Sequence, residues 1–549
     1  MHVKKKQYLC SDFAKIRSIT KMSLKKLILF LLCVPMLASA ERKIMLISDP
    51  HVMAQSLSED GGAFDYMMQK QRKMLHLSEA AFVATIDTAL LHKPALVLIP
   101  GDLTKDSEIA SHDVVLAQLK RLEEAGIVVL LIPGNHDIDG DANAYIGEGI
   151  QTVDALSDSE WEHKYDIVYS QVSAKDPLSH SYVAEPIPGV SVLGIDASHG
   201  SGDGYLSEET LEWVLNQADL ACDKGNMVLA MCHWQLLKHV DNDGIIMESG
   251  RLQDADIVRD SLMAHDVRLV LTGHMHINSI STYRDTLAMT GDSIVEISTG
   301  SPITYPCPYR WLTISDDRSS ISVETVNLTT LSNHSDLNQY SREWMQEHAR
   351  VMIPATSGRL FDHVGLVLEE YVSNTFGAQS GMILSLLKKS LPQTDEEEIA
   401  LVEKHLENTI IDLYLLHSDA NEPTRAEADS LAQAIYAGIS NMIHELTDAT
   451  FMMFASIQQV LIDIIIDAAQ ESIQSLVEDR TDWTSQYYSD CTDDLTLVLT
   501  ISEPAIETAV SHTILPNDNQ IYDVLGRHIS AEQTTSGQVY IQNGKKIKF

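Results

Sequence analysis

The sequence predicts a layered α/β sandwich, with central mixed β-sheets flanked by helices, followed by an α-helical domain and a short β-rich tail. Three observations predict it. Between residues 41 and 330, short runs of Val, Ile and Leu alternate with amphipathic stretches. From about 335 to 490 apolar residues recur at helical spacing, and the last fifty or so residues return to strand and turn signals. At 549 residues the chain exceeds what one hydrophobic core usually serves, so two or three domains are expected.

The first element is a leader. Residues 1–40 end in Met22-Ser-Leu-Lys-Lys26, an apolar stretch from Leu27 to Leu37, and Ala38-Ser-Ala40. A basic start, a short apolar stretch and a small-x-small end read as a secretory signal, with Met22 as a candidate start. The apolar stretch is too short to span a membrane. Cys33 follows Leu31-Leu32 rather than a small residue, which argues against a lipid anchor. Export to the periplasm, the cell surface or the medium is expected, with no membrane span in the mature chain.

Residues 41–330 carry the α/β pattern. Apolar runs at 44–48, 95–100, 127–132, 190–195, 227–232 and 267–272 are too short to prefer a helix. Amphipathic stretches follow at 78–92 and 107–125, the second closed by Gly126 as a C-cap. Continuous apolar strands separated by helices imply a sheet covered on both faces. Runs 294–298, 310–314 and 320–325 alternate as antiparallel strands do.

Residues 331–495 read as helical. Leu360, Val364, Val367 and Tyr371 repeat at helical spacing, as do Ile399, Val402, Leu406 and Ile410. Thr394-Asp-Glu-Glu397 and Thr424-Arg-Ala-Glu427 read as capping boxes. The stretch Phe451 to Ile466 is interrupted by Gln458, Gln459 and Asp463, which fits a buried bundle helix better than a span. A lid or a dimerisation module is the expected role. In residues 496–549, Asn543-Gly544 between Val539-Tyr-Ile541 and Lys545-Lys-Ile-Lys-Phe549 cues a hairpin. Tyr522-Asp-Val-Leu-Gly-Arg527 and Asn543-Gly-Lys-Lys546 resemble C-terminal sorting segments of the type IX secretion system; a small β-module is the other reading.

Charge narrows the partners. The formal charge is −39, and residues 1–40 hold eight Lys/Arg and one Asp, so without them it becomes −46. Such a surface repels phosphate backbones, and non-specific nucleic-acid binding relies on Lys/Arg contacts that displace counterions. Small or neutral-headed substrates are therefore favoured over nucleic acid. Cys222, Cys232, Cys307 and Cys491 have no zinc-site spacing and allow three disulfide pairings in an oxidising compartment.

Chemistry is concentrated in five polar clusters at the ends of apolar runs: Asp49-Pro-His51, Gly101-Asp102, Gly134-Asn-His-Asp137, His233 and Gly273-His-Met-His276. In open α/β sheets ligands bind beyond the carboxyl ends of strands, so all five should reach one crevice. Extended backbone would aim residues i and i+2 of Asp49-x-His51 and His274-x-His276 the same way. Glycines at 101, 134 and 273 imply close backbone approach. Two Asp, one Asn and four His, with no thiolate, suit two divalent or trivalent ions such as Mn, Fe or Zn. Asp102 is the natural bridge between them.

This ordered set resembles that of the calcineurin-like metallophosphoesterases, over roughly residues 43–325. The resemblance implies a metallophosphoesterase sandwich. It implies Asp49, His51, Asp102 and His276 around one metal, and Asp102, Asn135, His233 and His274 around the other. His136 matches the family histidine that contacts the phosphoryl oxygen and assists the leaving group. In-line attack on phosphorus by hydroxide held between the cations is the implied mechanism. One departure concerns the Asp that pairs with this histidine in the phosphoprotein phosphatase branch, three places after the metal Asp. That place is Lys105, with Asp106 one further on. The Gly-Asn-His-Asp and Gly-His-x-His forms look more like the cyclic-nucleotide and glycerophosphodiester phosphodiesterase branch. The expectation is an exported phosphoesterase, for a diester before a monoester. Rivals are a nuclease of the same superfamily and a catalytically silent surface binding protein.

Other features read as ordinary. Asp137-x-Asp139-x-Asp141 with Glu148 imitates a calcium loop but has Ala142 where glycine is required. His112, His163, His180, His199, His239, His265 and His417 match no cluster, with His199 and His239 nearest to ligand loops. Asp196 reads as lining the crevice or closing a turn. The long segments 52–77 and 138–189 are expected to shape access, and Tyr66, Met67, Met68 and Tyr145 either wall the crevice or pack in their own domain.

Overall fold

The computed structural model describes residues 42–198, 204–239, 250–284, 293–377, 380–381, 384–385, 391–419 and 425–451, with residues 463, 473 and 477 and strand segments up to residue 548. The leader, His199, Thr424, Cys491 and nearly all of 451–466 lie outside the described residues. The chain divides into Met1–Thr500 and Ile501–Phe549.

In chain order the strands of the first unit are β1 (Arg42–Leu46), β2 (Leu96–Pro100), β3 (Val128–Ile132), β4 (Asn143–Ile146), β5 (Gly149–Thr152), β6 (Ala174–Lys175), β7 (Tyr182–Ile187), β8 (Val190–Ile195), β9 (Met227–Cys232), β10 (Leu269–Thr272), β11 (Ser279–Arg284), β12 (Ser293–Ser298), β13 (Pro308–Ile314), β14 (Ser320–Asn327), β15 (Tyr488–Asp490) and β16 (Thr496–Thr500). They form two mixed sheets, ordered β16-β14-β13-β1-β2-β3 and β15-β11-β12-β10-β9-β8-β7-β6, with β4 and β5 as a separate hairpin. Within each sheet the strands that end at the polar clusters run parallel: β1 with β2, β2 with β3, and β9 with β10. The Tyr182 hydroxyl in β7 donates to the Leu131 carbonyl of β3 at 2.9 Å, tying one sheet to the other.

The apolar runs became strands because both their faces are covered. All five residues of β2 and all six of β8 and β9 are buried. Helix Ile109–Glu124 packs beside β3 of the first sheet, and helix Ser78–His92 packs on that helix. Helices Glu208–Asp223 and Ala255–Ala264 cover the second, where Val214, Ala218, Val258 and Leu262 join Leu193, Ala230 and Val270 in one core. Each fully buried Leu, Ile or Val there contributes about 1.5–3 kcal/mol. Helix 109–124 ends before Gly126, whose φ of +75° is the left-handed turn expected of that glycine.

Strands β7 and β11 were not anticipated, and their composition explains it. β7 contains Glu185 and Pro186, and β11 begins Ser279-Ile-Ser-Thr282, so neither offers an apolar run. The spacing Ile399 to Ile410 predicts one helix, but Asp395–His405 and Glu407–Asp419 are separate, broken at Leu406. Val402, Leu406 and Ile410 still share one core, so burial survives the break. Thr394 caps its helix, its hydroxyl accepting from the Glu397 amide at 3.3 Å. The side chains of Val364, Val367 and Tyr371 lie outside the described residues.

The helical segment is packed against the α/β half. Its core, built on Phe361, Val402, Ile439 and Met442, also takes in Ile277, and Met275 packs against it. Both belong to the loop that follows β10. Strands β15 and β16 lead the chain back to the edges of both sheets, β15 beside β11 and β16 beside β14. Among the described residues no helix is long and apolar enough to cross a membrane.

The second unit is a four-stranded antiparallel sheet of β17 (Ile521–Tyr522), β18 (His528–Ile529), β19 (Val539–Gln542) and β20 (Lys545–Lys548). Gln542 faces Lys545 across β19 and β20, which leaves two residues, Asn543 and Gly544, to connect them. That is the connection length the hairpin cue calls for.

Candidate metal centre

The five polar clusters meet at the carboxyl ends of β1, β2, β3, β9 and β10. Asp49, His51, Asp102 and His276 offer one group of convergent donor atoms, Asp102, His233 and His274 another, and within each the donors lie within 4.8 Å of one another. Asp102 is the member both share. His51 Nε2 is 2.9 Å from His276 Nε2 and 3.4 Å from Asp102 Oδ2. His276 Nε2 is 3.4 Å from Asp49 Oδ1. On the other side His233 Nε2 is 3.4 Å from Asp102 Oδ2 and 3.3 Å from His274 Nδ1. The Asn135 amide oxygen completes this group, 3.1 Å from His233 Nε2 and 3.0 Å from His274 Nδ1.

The backbone route differs from the sequence reading. Asp49, His51, His274 and His276 have φ of 51°, 40°, 67° and 59°, so the pairs converge through left-handed turns and not through extended alternation. Asp102 is left-handed as well, at 51°. Such conformations are uncommon outside glycine and cluster at functional sites. The glycines act as expected of close approach. A Cβ on Gly134 would stand 2.2 Å from Asp102 Oδ1, and one on Gly273 would stand 2.3 Å from Asp49 Oδ2.

Asp137 staples the loops from below. Its buried carboxylate accepts the amides of Leu103 at 3.0 Å, Thr104 at 2.9 Å and Gly134 at 2.9 Å, which locks the Asp102 loop to the Asn135 loop. A carboxylate so engaged is closed to calcium. His112 supports it, with Nε2 3.0 Å from the Asp137 carbonyl.

Protonation suits cation binding. Burial pushes His51 and His274 down, with Lys73 and His233 respectively adding to the effect, and takes His276 to about 4. These three are neutral, the form that ligates metals. Burial also acts to lower His233, but the Asp102 carboxylate overrides it and raises His233 to about 9. The field that stabilises an imidazolium there would equally stabilise a bound cation. His233 Nδ1 donates to the Pro100 carbonyl at 2.8 Å, which leaves Nε2 to face the site once the ring is neutral. Lone-pair nitrogens 2.9–3.3 Å apart around a shared carboxylate repel one another unless a proton or a cation lies between them. The donor set therefore fits two metal ions.

His136 stands beside the two groups, half-exposed, its ring edge-on to His51 with centroids 4.9 Å apart. Its amide donates to Asp102 Oδ1 at 3.0 Å, and its Nδ1 is 2.8 Å from Asp106 Oδ1. The offset noted in the sequence is absorbed by the loop: Asp106, not residue 105, reaches the histidine. Lys105 binds the other oxygen of Asp106 and lies 3.7 Å from Glu108. Burial works to raise Asp106, but the His136 hydrogen bond and the Lys105 charge outweigh it and hold Asp106 below the usual carboxylate range.

Sequence reasoning missed Glu296 on β12. Fully buried, it accepts the amides of Leu236 at 2.9 Å and Leu237 at 2.6 Å, and the Thr272 hydroxyl at 2.7 Å. His239 Nε2 lies 3.1 Å from the same carboxylate. Glu296 thus fixes the loop after His233 and the residue before Gly273-His274. Its run, Ser293-Ile-Val-Glu-Ile297, reads only as a strand. Glu296→Gln should lower metal affinity at the His233/His274 position about 10–100-fold, as loss of an outer support does; metal titration followed by calorimetry reads it.

The remaining candidates are structural. Asp196 accepts the amides of His180 at 3.0 Å and Ser198 at 2.9 Å, the turn-closing role. Met67, Met68 and Tyr145 are buried in their own domain, whereas Tyr66 is exposed beside Lys70. Cys222, Cys232 and Cys307 are free thiols.

Residues 42–278 match the family model described as calcineurin-like phosphoesterase. A relative named as a probable cyclic nucleotide phosphodiesterase, from Rhodococcus erythropolis, is 23% identical over 197 residues, 35% of this chain and 54% of that protein. The chain thus spans about half the length of that relative. Among solved structures, a dimetal phosphatase from Danio rerio aligns with TM-score 0.38 and 15% identity, over 52% of this chain and 96% of its own. Purple acid phosphatase PPD1 from yellow lupin aligns with TM-score 0.33 and 13% identity, over 52% and 51%. With its ligand types in family order and converged on Asp102, the segment from residue 42 to 278 is a calcineurin-like phosphoesterase domain.

Proposed function

We propose that the protein is an exported, two-metal phosphoester hydrolase acting on a phosphodiester in preference to a monoester. The observation that carries the hydrolase reading is Asp102, shared by two donor groups with His136 on its flank. Asp49, His51, Asp102 and His276 would hold one ion, and Asp102, Asn135, His233 and His274 the other, with Mn, Fe or Zn suited to this oxygen and nitrogen set. Bound there, the pair supplies Lewis-acid stabilisation of phosphoryl oxygens and a water acidic enough to act as nucleophile near neutral pH.

The chain's own residues do the rest. His136 would give a proton to the departing oxygen from Nε2 while Nδ1 stays on Asp106. Asp106, itself held by Lys105, fixes the ring orientation. Asp106→Asn should slow turnover about 10–100-fold with metal content retained. Support for a diester comes from the Gly134-Asn-His-Asp137 and Gly273-His-Met-His276 forms and from the printed name of the Rhodococcus relative. Support for export comes from residues 22–40.

The test is hydrolysis of bis(4-nitrophenyl) phosphate against 4-nitrophenyl phosphate with added Mn. Faster turnover of the diester is expected. Turnover of neither, by protein shown to be folded, would leave a silent binding protein as the better reading.

A further inference from the structure

The segment between β1 and helix Ser78–His92 brings Arg72 and Lys73 to the metal centre. Both are half-buried. Lys73 Nζ is 3.5 Å from His51 Nδ1. The acids acting most strongly on Lys73 are Asp102 and Asp106; on Arg72 they are the Tyr414 phenol, from the helical segment, and Asp49. Among the described residues Arg72 makes no hydrogen bond.

Once the site is loaded, His51 and the three aspartates are committed elsewhere, and only the Tyr414 phenol is left to Arg72. His51 faces His276 and Asp102 through Nε2, so ligation there leaves the hydrogen on Nδ1, which cannot accept from an ammonium. Asp49 and Asp102 belong to the donor groups, and Asp106 already accepts from His136 and Lys105. Two adjacent, half-buried cations with no more than a phenol beside them are costly, and an entering anion relieves that cost. The acidic surface does not oppose this, because a local pair of cations sets the field inside a cleft while the net charge of −39 is spread over the whole chain.

We propose that Arg72 and Lys73 form an oxyanion subsite that takes a second negatively charged group, a carboxylate or a phosphate, carried by the substrate beside its scissile phosphoester. The proposal rests on the phosphoesterase reading above and narrows its substrate class. Arginine suits either group through its planar fork, and lysine adds a point charge.

The experiment compares calorimetric binding of 2-phosphoglycolate and ethane-1,2-diyl bisphosphate with that of ethyl phosphate, using full-length protein of measured metal content. In parallel, KM is compared for carboxymethyl and ethyl 4-nitrophenyl phosphate, which share a leaving group and differ in one charge. The doubly anionic probes should bind at least about tenfold tighter, the size expected of a charged hydrogen bond, and KM should fall in step. In the Arg72→Gln/Lys73→Gln protein both ratios should drop to about one, and Lys73→Arg should keep the preference. The tighter of the two anionic probes identifies carboxylate or phosphate. Ratios near one in the wild type, or ratios that persist in the double variant, overturn the subsite. Selective binding without hydrolysis of either ester sustains the subsite and sinks the phosphoesterase reading instead.

Discussion

Asp102→Ala should cost turnover at least about a thousandfold, the upper end of what losing one electrostatic stabiliser costs an active site, and metal content should fall below two ions per chain. The reason is geometric. Asp102 Oδ2 lies 3.4 Å from both His51 Nε2 and His233 Nε2, so it is the only anion common to both donor groups among the described residues. Without it, two cations would face each other with no charge between them. The variant should fold, because Asp137 and the glycine turns still join the loops. Elemental analysis beside circular dichroism checks this; a folded variant keeping two ions and wild-type rate contradicts the bridging role.

His136→Ala should behave in the opposite way toward metal. His136 touches Asp102 only through its backbone amide, which alanine retains, so both ions should stay. Turnover should drop by roughly two to four orders of magnitude, the range for a positioned acid. The loss should be larger for an alkyl leaving group than for 4-nitrophenolate, which departs with little need of a proton. Equal losses for both would move His136 from proton donor to phosphoryl positioning, and a wild-type rate would remove it from the reaction.

Much of the site was legible because its residues sit where period and punctuation are strongest. An apolar run that stops at Gly-Asp or Gly-Asn-His marks a strand end, and strand ends in parallel sheets share one edge. Asp49, Asp102, Asn135, His233 and His274 were all placed by that rule. The sequence could not show how the turns are made: left-handed φ at Asp49, His51, His274 and His276 leaves no signature when the residues are not glycine.

Long-range supports were hidden for a related reason. Glu296 lies 60 residues from Leu236 and 24 from Thr272, in a run that reads only as a strand. Arg72 and Lys73 lie in the segment 52–77, which was expected to shape access but has no periodicity to mark which of its side chains turn inward. Counting residues placed Lys105 where Asp106 does the work, since pairing with His136 depends on how the loop folds, and Ser107, at φ 70°, is one of its left-handed turns. The helical segment was recognised by its spacing, but its packing on Met275 and Ile277 was not, because those two read as spacers in and after a ligand motif.

The most direct test is anomalous diffraction from metal-loaded crystals. The arrangement predicts two peaks about 3.5–4 Å apart with the Asp102 carboxylate between them, one beside His51 and His276 and the other beside Asn135, His233 and His274. A single peak, no peak, or ions bound away from Asp102 would contradict it.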